Sequence, residues 1–90
     1  MARLETAVLT ASETYTRNHA AQSERVETLR ARIAEATAGG RPDMVARHRK
    51  RGKLLVRERI DLLVDPGTAF LELSSLAAYG QYGGEVPGAG

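Results

Sequence analysis

Large side chains and covalent cross-links are nearly absent from this sequence. It has no cysteine and no tryptophan, and aromatic residues make up 4% of its 90 positions. Without disulfides or thiolate metal ligands, a chain of this length depends on apolar burial or on a partner surface. Because so few aromatic rings are present to fill it, the core is predicted to be thin. These absences favour an incomplete unit that packs on something larger.

Long apolar runs are also missing. No stretch reaches the roughly 18 apolar residues that a membrane span requires, and residues 1–20 lack the apolar centre of a secretory signal. The acids Glu5 and Glu13 are out of place in an organellar transit peptide. The sequence therefore predicts a cytoplasmic chain without a membrane partner.

Motifs for catalysis are absent as well: there is no nucleophile elbow, no HExxH, no phosphate-loop lysine and no GxGxxG after a strand. Ser74 and Ser75 have no neighbouring base in the sequence. Glu58 and Asp61 lie among arginines, where a solvated ion-pair face is the better interpretation than an acid–base pair. His19 has no second ligand one turn away, so no metal site is predicted. We assign no catalytic residue.

A long first helix is predicted by apolar residues at spacings of three and four. Val26, Leu29 and Ile33 recur in this way, which places them on one side of a helix. Ser12 suits the N-cap, and a glycine pair from Gly39 onward suits the C-terminal end. Since only the C-terminal half has a clear apolar stripe, packing on a larger body is favoured over an isolated coiled coil.

Two shorter helices are predicted next. Pro42 opens the second helix, which runs to about Arg51 before Gly52 breaks it. The third has a predicted buried side and stops at a strong Asp-Pro-Gly turn. Arg57 is predicted to pair with Asp61 one turn later. The apolar residues of the third helix are Val56, Ile60, Leu63 and Val64.

Beyond the turn, the pattern predicts a short strand or an extended segment at residues 70–73. Residues 77–90 are rich in glycine and have no periodicity, so they are predicted to form a loop. The predicted class is mainly α, with three helices followed by a Gly-rich loop.

Residues 47–67 join a basic surface to an apolar helix, and seven of the 13 basic residues lie at positions 47–59. Three interpretations are open: a solvated or interface ion-pair surface, contact with nucleic acid, and binding of a phosphorylated ligand around the Gly52 break. The net charge of +2 and the lack of interleaved aromatic residues argue against nucleic acid. The alternative function is a small helical binding module whose basic face meets an acidic partner or nucleic acid.

The second half of the chain contains the runs RHRKRGKLLVRERIDLLVDPGTAFLELS and LAAYGQYGGEVPGAG. From residue 46 to residue 90 it closely resembles the N-terminal part of carboxyltransferase (beta) subunits of biotin-dependent acyl-CoA carboxylases. Residues 1–39 match only in character. Propionyl-CoA-type subunits commonly have Thr or Ser where this chain has Leu55, and the runs KLLVRERID and AAYGQYGGEVPGAG look more like the methylcrotonoyl-CoA carboxylase branch.

This resemblance implies a crotonase-like α/β fold in a longer chain. Residues 1–40 would then be a variable amphipathic helix, and residues 41–90 the incomplete start of the N-terminal carboxyltransferase domain. The implied reaction moves a carboxyl group from carboxybiotin to an acyl-CoA such as methylcrotonoyl-CoA. The catalytic backbone amides would lie beyond Gly90, so these residues alone are expected to be inactive.

The resemblance also implies partners and one binding site. Biotin would be carried by a partner, the biotin carboxylase and biotin carrier alpha subunit, and beta subunits would form a homo-oligomer. The acyl-CoA nucleotide would meet basic groups of the N-terminal domain. We expect Arg51 and Lys53 to provide them, with Arg47 as a further candidate.

Overall fold

In a computed structural model, which describes residues 1–86, the chain is helical and contains no strand in that range. The elements are α1 (Glu13–Thr37), α2 (Pro42–Lys50), α3 (Val56–Leu63) and a short 3₁₀ helix (Gln81–Gly84). The predicted order of three helices and a Gly-rich loop is confirmed for the described residues. The last part of that loop, residues 87–90, lies outside them.

The chain divides into two compact units, Met1–Arg30 and Ala31–Gly90. In the first unit, the hydroxyl oxygen of Ser12 accepts a hydrogen bond from the Tyr15 amide at 3.2 Å. This bond confirms Ser12 as the N-cap of α1. Glu27 and Arg30, three positions apart, form an exposed ion pair at 2.9 Å.

The second unit begins with the last turns of α1, which end at glycine as predicted. The Gly39 amide donates to the carbonyl of Ala36 at 3.3 Å, and Gly39 has a φ of +85°. A Cβ at this position would lie 3.4 Å from the side chain of Leu55. Glycine is favoured here because the backbone is left-handed, and the Leu55 side chain then packs closely on the turn.

Local signals also account for α2 and α3. Pro42 is the first residue of α2, where proline is favoured. Arg41 next to it makes two hydrogen bonds to the carboxylate of Asp43, at 3.1 and 2.8 Å. After α3, the Thr68 amide donates to the carbonyl of Asp65 at 3.2 Å, which confirms the predicted turn. The helices therefore start and stop close to where the sequence places them.

The strand considered for residues 70–73 does not form, since these residues lie in no helix or strand. A strand needs a partner for its backbone groups, and residues 1–86 provide none. The chain turns away immediately afterwards, with positive φ values at Ser74 (56°) and Ala78 (62°). Tyr79 then lies beneath the guanidinium group of Arg32, 4.8 Å from the ring centroid. This cation–π contact attaches the loop to the end of α1.

The apolar core is as thin as the composition predicts. Ala36, at 2% exposure, is the one fully buried residue in the described part of the chain. The predicted buried side of α3 is largely uncovered there: Ile60 and Val64 are half-buried, whereas Val56 and Leu63 are 70% and 84% exposed. Residues 1–86 therefore cover that side of the helix only in part.

The side chain of Arg57 joins three segments of the second unit. Its Nη1 donates to the carbonyl of Ala36 at 3.0 Å, while Nε and Nη2 donate to the two carboxylate oxygens of Glu72 at 3.1 and 2.5 Å. We call this set the Arg57 clamp. The predicted pairing with Asp61 is wrong, because the two parallel bonds to Glu72 and the third to Ala36 outweigh one exposed pair along the helix.

Removal of the clamp is expected to loosen α3. Arg57→Ala leaves the Ala36 carbonyl without its side-chain donor, and should lower the free energy of local opening at the Val64 amide by about 1–3 kcal/mol. Native-state hydrogen exchange measures this. Glu72→Ala should cost less, since the bond to Ala36 survives.

Arg59→Ala is the matched control, because Arg59 is an exposed arginine of the same helix. Its effect should stay within about 0.5 kcal/mol. Equal exchange in the Arg57 and Arg59 variants would contradict a structural role for the clamp.

Candidate functional site

The candidate site is the α2–α3 turn, residues 51–55, in the basic part of the sequence. Its backbone is tied to the end of α2 by a series of short-range bonds. The Arg51 amide donates to the carbonyls of Arg47 and His48 at 3.3 and 3.2 Å, and the Gly52 amide donates to the carbonyl of Arg49 at 2.9 Å. Gly52 has a φ of +74°. Glycine adopts this conformation without strain, so the chain reverses sharply after α2.

His48 fixes the next part of the turn with two of its groups. Its carbonyl accepts the Lys53 amide at 3.3 Å, and its ring Nε2 lies 2.8 Å from the carbonyl of Leu54. Because a carbonyl can only accept, Nε2 must carry the proton in this contact. The histidine is half-buried, and it holds two consecutive residues of the turn.

Glu58 fixes the end of the turn and the start of α3. One of its oxygens accepts the Leu55 amide at 2.9 Å, and the other accepts a hydrogen bond from the guanidinium group of Arg49. This is half of a capping box, since the leucine side chain has no oxygen for the third amide of the helix. The other half of the capping box is missing because Leu55 occupies the N-cap position, where Thr or Ser would supply the oxygen.

The charge state of Glu58 follows from these contacts. The amide of Leu55, and after it the guanidinium group of Arg49, hold the pKa of the Glu58 carboxyl below its ordinary value. Both contacts favour the ionised form. Glu58 is therefore a carboxylate at neutral pH, and the predicted solvated ion-pair face is the better description of this acid.

The three basic residues expected to meet a nucleotide lie at one end of α2. Arg47 and Arg51 are one helical turn apart, and Lys53 follows the Gly52 reversal. All three are exposed, and none of them forms an ion pair within residues 1–86. The backbone thus leaves three cations available to solvent, whereas Arg49 is engaged with Glu58.

An open groove of about 560 Å³ runs beside the turn. Lys53 contributes to it, but Arg47 and Arg51 do not line it. Two cations and two acids give the lining no net charge, and its leucines add apolar surface. The lining residues are Arg49, Gly52, Lys53, Leu54, Glu58, Asp61 and Leu62. Such a groove can accept a flat apolar group with Lys53 placed to meet an anion.

Sequence reasoning did not predict the pairing of Arg49 with Glu58. Glu58 at the third position of α3 carries a local signal, because an acid there can accept the N-cap amide. Arg49 is nine positions earlier and on another helix, where no spacing rule applies.

Within residues 1–86, no group of three or more His, Cys, Asp or Glu side chains is arranged to hold a metal ion. The same residues include no helix with the length and apolar character of a membrane span.

Comparison with known proteins identifies relatives of the chain. It is 55% identical over 65 residues to the biotin-dependent 3-methylcrotonyl-coenzyme A carboxylase beta1 subunit of Mycobacterium tuberculosis, a match that covers 72% of this chain and 12% of that protein. It is 46% identical over 79 residues to the mitochondrial methylcrotonoyl-CoA carboxylase beta chain of Arabidopsis thaliana, covering 88% of this chain and 14% of the relative.

A third relative is the carboxyltransferase subunit of propionyl-CoA carboxylase from Haloferax mediterranei, 42% identical over 45 residues, with 50% of this chain and 9% of that protein covered. No family model matches the chain. No solved structure matches it either.

The protein class that these relatives share is the acyl-CoA carboxylase. More particularly, the chain is homologous to the carboxyltransferase (beta) subunits of biotin-dependent acyl-CoA carboxylases, and the resemblance found in the sequence is confirmed. The chain spans only 9–14% of the length of these three relatives.

The contacts of Glu58 predict how its titration responds to mutation. Arg49→Ala should raise the pKa of the Glu58 carboxyl toward its ordinary value without fully restoring it, because the Leu55 amide still favours the anion. A lowered pKa means that the stabilisation is present above the unfolded pKa and is lost as the pH falls through the folded one. NMR titration of the side-chain carboxyl measures the shift.

Asp43 is the internal reference for that titration. Hydrogen bonding to Arg41 lowers the pKa of its carboxyl, and Arg49→Ala should leave that value unchanged. An unaltered Glu58 titration in the same variant would show that Arg49 does not act on this carboxylate.

Proposed function

We propose that this chain is the N-terminal part of a carboxyltransferase subunit of a biotin-dependent acyl-CoA carboxylase. The parent enzyme would move a carboxyl group from carboxybiotin to an acyl-CoA such as methylcrotonoyl-CoA. The observation that carries the proposal is the 55% identity over 65 residues to a protein named as the beta1 subunit of a biotin-dependent 3-methylcrotonyl-coenzyme A carboxylase. Since the match spans 12% of that relative, the reacting groups are assigned to other parts of the parent chain.

The parent chain is proposed to have a crotonase-like α/β fold, in which residues 1–40 form the variable helix and residues 41–90 start the N-terminal domain. The apolar side of α3 supports this, with Leu63 at 84% exposure. Such a surface needs cover from a larger body. A homo-oligomer of beta subunits and a cytoplasmic location are part of the same proposal.

Biotin is proposed to reach the enzyme on an alpha subunit or domain. When bound there, biotin would supply the carboxyl group that the acyl-CoA receives. We assign no biotin contact to residues 1–86.

The substrate is proposed to be of the methylcrotonoyl-CoA type. The relatives named for that substrate match 72% and 88% of this chain, whereas the propionyl-CoA relative matches 50%. Leu55, in place of a capping Ser or Thr, supports the same branch.

Substrate preference can be measured on the parent subunit assembled with its alpha subunit. The value of kcat/KM for 3-methylcrotonyl-CoA should exceed that for propionyl-CoA by about tenfold or more, the discrimination that a few carbon atoms allow in an apolar pocket. Fixation of labelled bicarbonate reports the rate. A preference for propionyl-CoA would overturn the proposed branch and leave the carboxyltransferase class intact.

The CoA nucleotide is proposed to contact Arg51 and Lys53, with Arg47 contributing more weakly. Coenzyme A carries a diphosphate and a 3′-phosphate, and cations that have no protein partner can form charge-assisted hydrogen bonds to these groups. The support is geometric: all three side chains are exposed at one end of α2, and Lys53 also lines an apolar groove. The groove provides surface for the adenine ring.

Removing these cations should weaken acyl-CoA binding in the parent enzyme. Arg51→Ala and Lys53→Ala are each expected to raise the KM for acyl-CoA about three- to tenfold, as exposed charged contacts do. Arg47→Ala should have a smaller effect. Steady-state kinetics with CoA and dephospho-CoA esters would show whether the 3′-phosphate is involved.

Arg25→Ala, at an exposed arginine of α1, is the control and should leave the KM unchanged. Unchanged KM values in the Arg51 and Lys53 variants would contradict the nucleotide site and support the interpretation of these residues as a solvated surface. Salt-sensitive binding of random oligonucleotides without CoA binding would instead support the helical binding module.

A further inference from the structure

Two side chains outside the α2–α3 turn line the groove beside Lys53, where one of them binds the Leu55 amide and the other binds the first. They are Arg49 at the end of α2 and Glu58 in the first turn of α3. We propose that Arg49 and Glu58 are positioning residues that hold Lys53 in place for the CoA nucleotide. This inference rests on the nucleotide site proposed above.

The first argument is the continuity of the contacts around Lys53. Its own amide is bound by the carbonyl of His48 at 3.3 Å, the carbonyl of Leu54 lies 2.8 Å from the His48 ring, and the amide of Leu55 is bound by Glu58 at 2.9 Å. Three consecutive residues are thus fixed by groups from the two flanking helices. Preorganisation of this kind lowers the entropy lost when a flexible lysine orders on a ligand.

The second argument concerns the negative charge of Glu58, which lies beside a site proposed to bind an anion. A carboxylate in the same groove as Lys53 repels phosphate oxygens. Pairing with Arg49 offsets that charge, while the bond to the Leu55 amide keeps Glu58 in the turn. The bond to the Leu55 amide also caps the start of α3. A positioning role accounts for that bond together with the pairing of Glu58 with Arg49.

The two possible roles predict opposite effects of removing Glu58. If the Glu58 carboxylate only repels the phosphates of the nucleotide, Glu58→Ala lowers the KM for acyl-CoA or leaves it unchanged. If Glu58 positions the turn, the KM rises. Arg49 can be tested in the same way, because a direct phosphate ligand would act independently of Glu58.

The experiment is a double-mutant cycle in the parent subunit assembled with its alpha subunit. Glu58→Ala and Arg49→Ala are each expected to raise the KM for acyl-CoA about threefold, the scale of a partly exposed ion pair. The KM of the double variant should also rise about threefold, since both substitutions remove the same interaction between Arg49 and Glu58. The kcat should stay within about twofold, because a substitution that only reduced the folded fraction would lower kcat and leave the KM unchanged.

Three further variants complete the test. Glu58→Gln keeps an acceptor for the Leu55 amide and should give a KM between those of the wild type and Glu58→Ala, which preserves the test if the alanine variant folds poorly. The matched control is the exposed ion pair of Glu27 with Arg30 on α1. Glu27→Ala and Arg30→Ala should leave the KM unchanged.

Several outcomes would overturn the inference. An unchanged or lower KM in Glu58→Ala contradicts positioning, and so does a rise of about ninefold in the double variant, the product expected of two independent contacts. If Lys53→Ala raises the KM while the Arg49 and Glu58 variants do not, only the positioning role is wrong. If Lys53→Ala leaves the KM unchanged, the nucleotide site and the positioning role are both wrong.

Discussion

The guanidinium group of Arg57 holds together three segments of a unit that buries little apolar surface. The carbonyl of Ala36 at the end of α1 and the carboxylate of Glu72 beyond α3 are both bound by this one side chain. In a unit where only one described residue is fully buried, directional polar bonds decide how the helices are placed. The planar, multiply bonding guanidinium group is suited to this, and lysine could not reproduce its geometry.

A second set of polar bonds shapes the α2–α3 turn. His48 and Glu58 fix the backbone of residues 53–55, and Arg49 is engaged with Glu58. Five of the basic residues at positions 47–59 therefore divide into two groups. Arg49 and Arg57 have acidic partners and organise the structure, whereas Arg47, Arg51 and Lys53 are exposed without an ion pair in the described part of the chain. The second group is the one available to a phosphorylated ligand.

Local signals in the sequence were sufficient to predict the helices. The N-cap at Ser12, the proline that opens α2, the Gly52 reversal and the turn after α3 act over a few residues, so nearest neighbours determine them. The predicted pairing of Arg57 with Asp61 used the same local rule and was wrong. Its true partner, Glu72, lies fifteen positions away and is brought near only by the turn at the end of α3. The strand considered at residues 70–73 failed for a related reason, because a strand depends on a partner that local sequence does not specify.

The sequence by itself determined the helical class of the described residues, the approximate ends of the three helices, the thin core and the resemblance to carboxylase beta subunits. These properties follow from short-range backbone preferences, composition and residue identity along the chain. Tertiary structure decided the acidic partners of Arg49 and Arg57, because long side chains reach different acids according to how the helices are placed. It also showed that much of the apolar side of α3 is uncovered within residues 1–86. In the sequence, the basic residues at positions 47–59 cannot be told apart by role. The folded chain distinguishes the arginines that have acidic partners from the cations that are exposed to solvent.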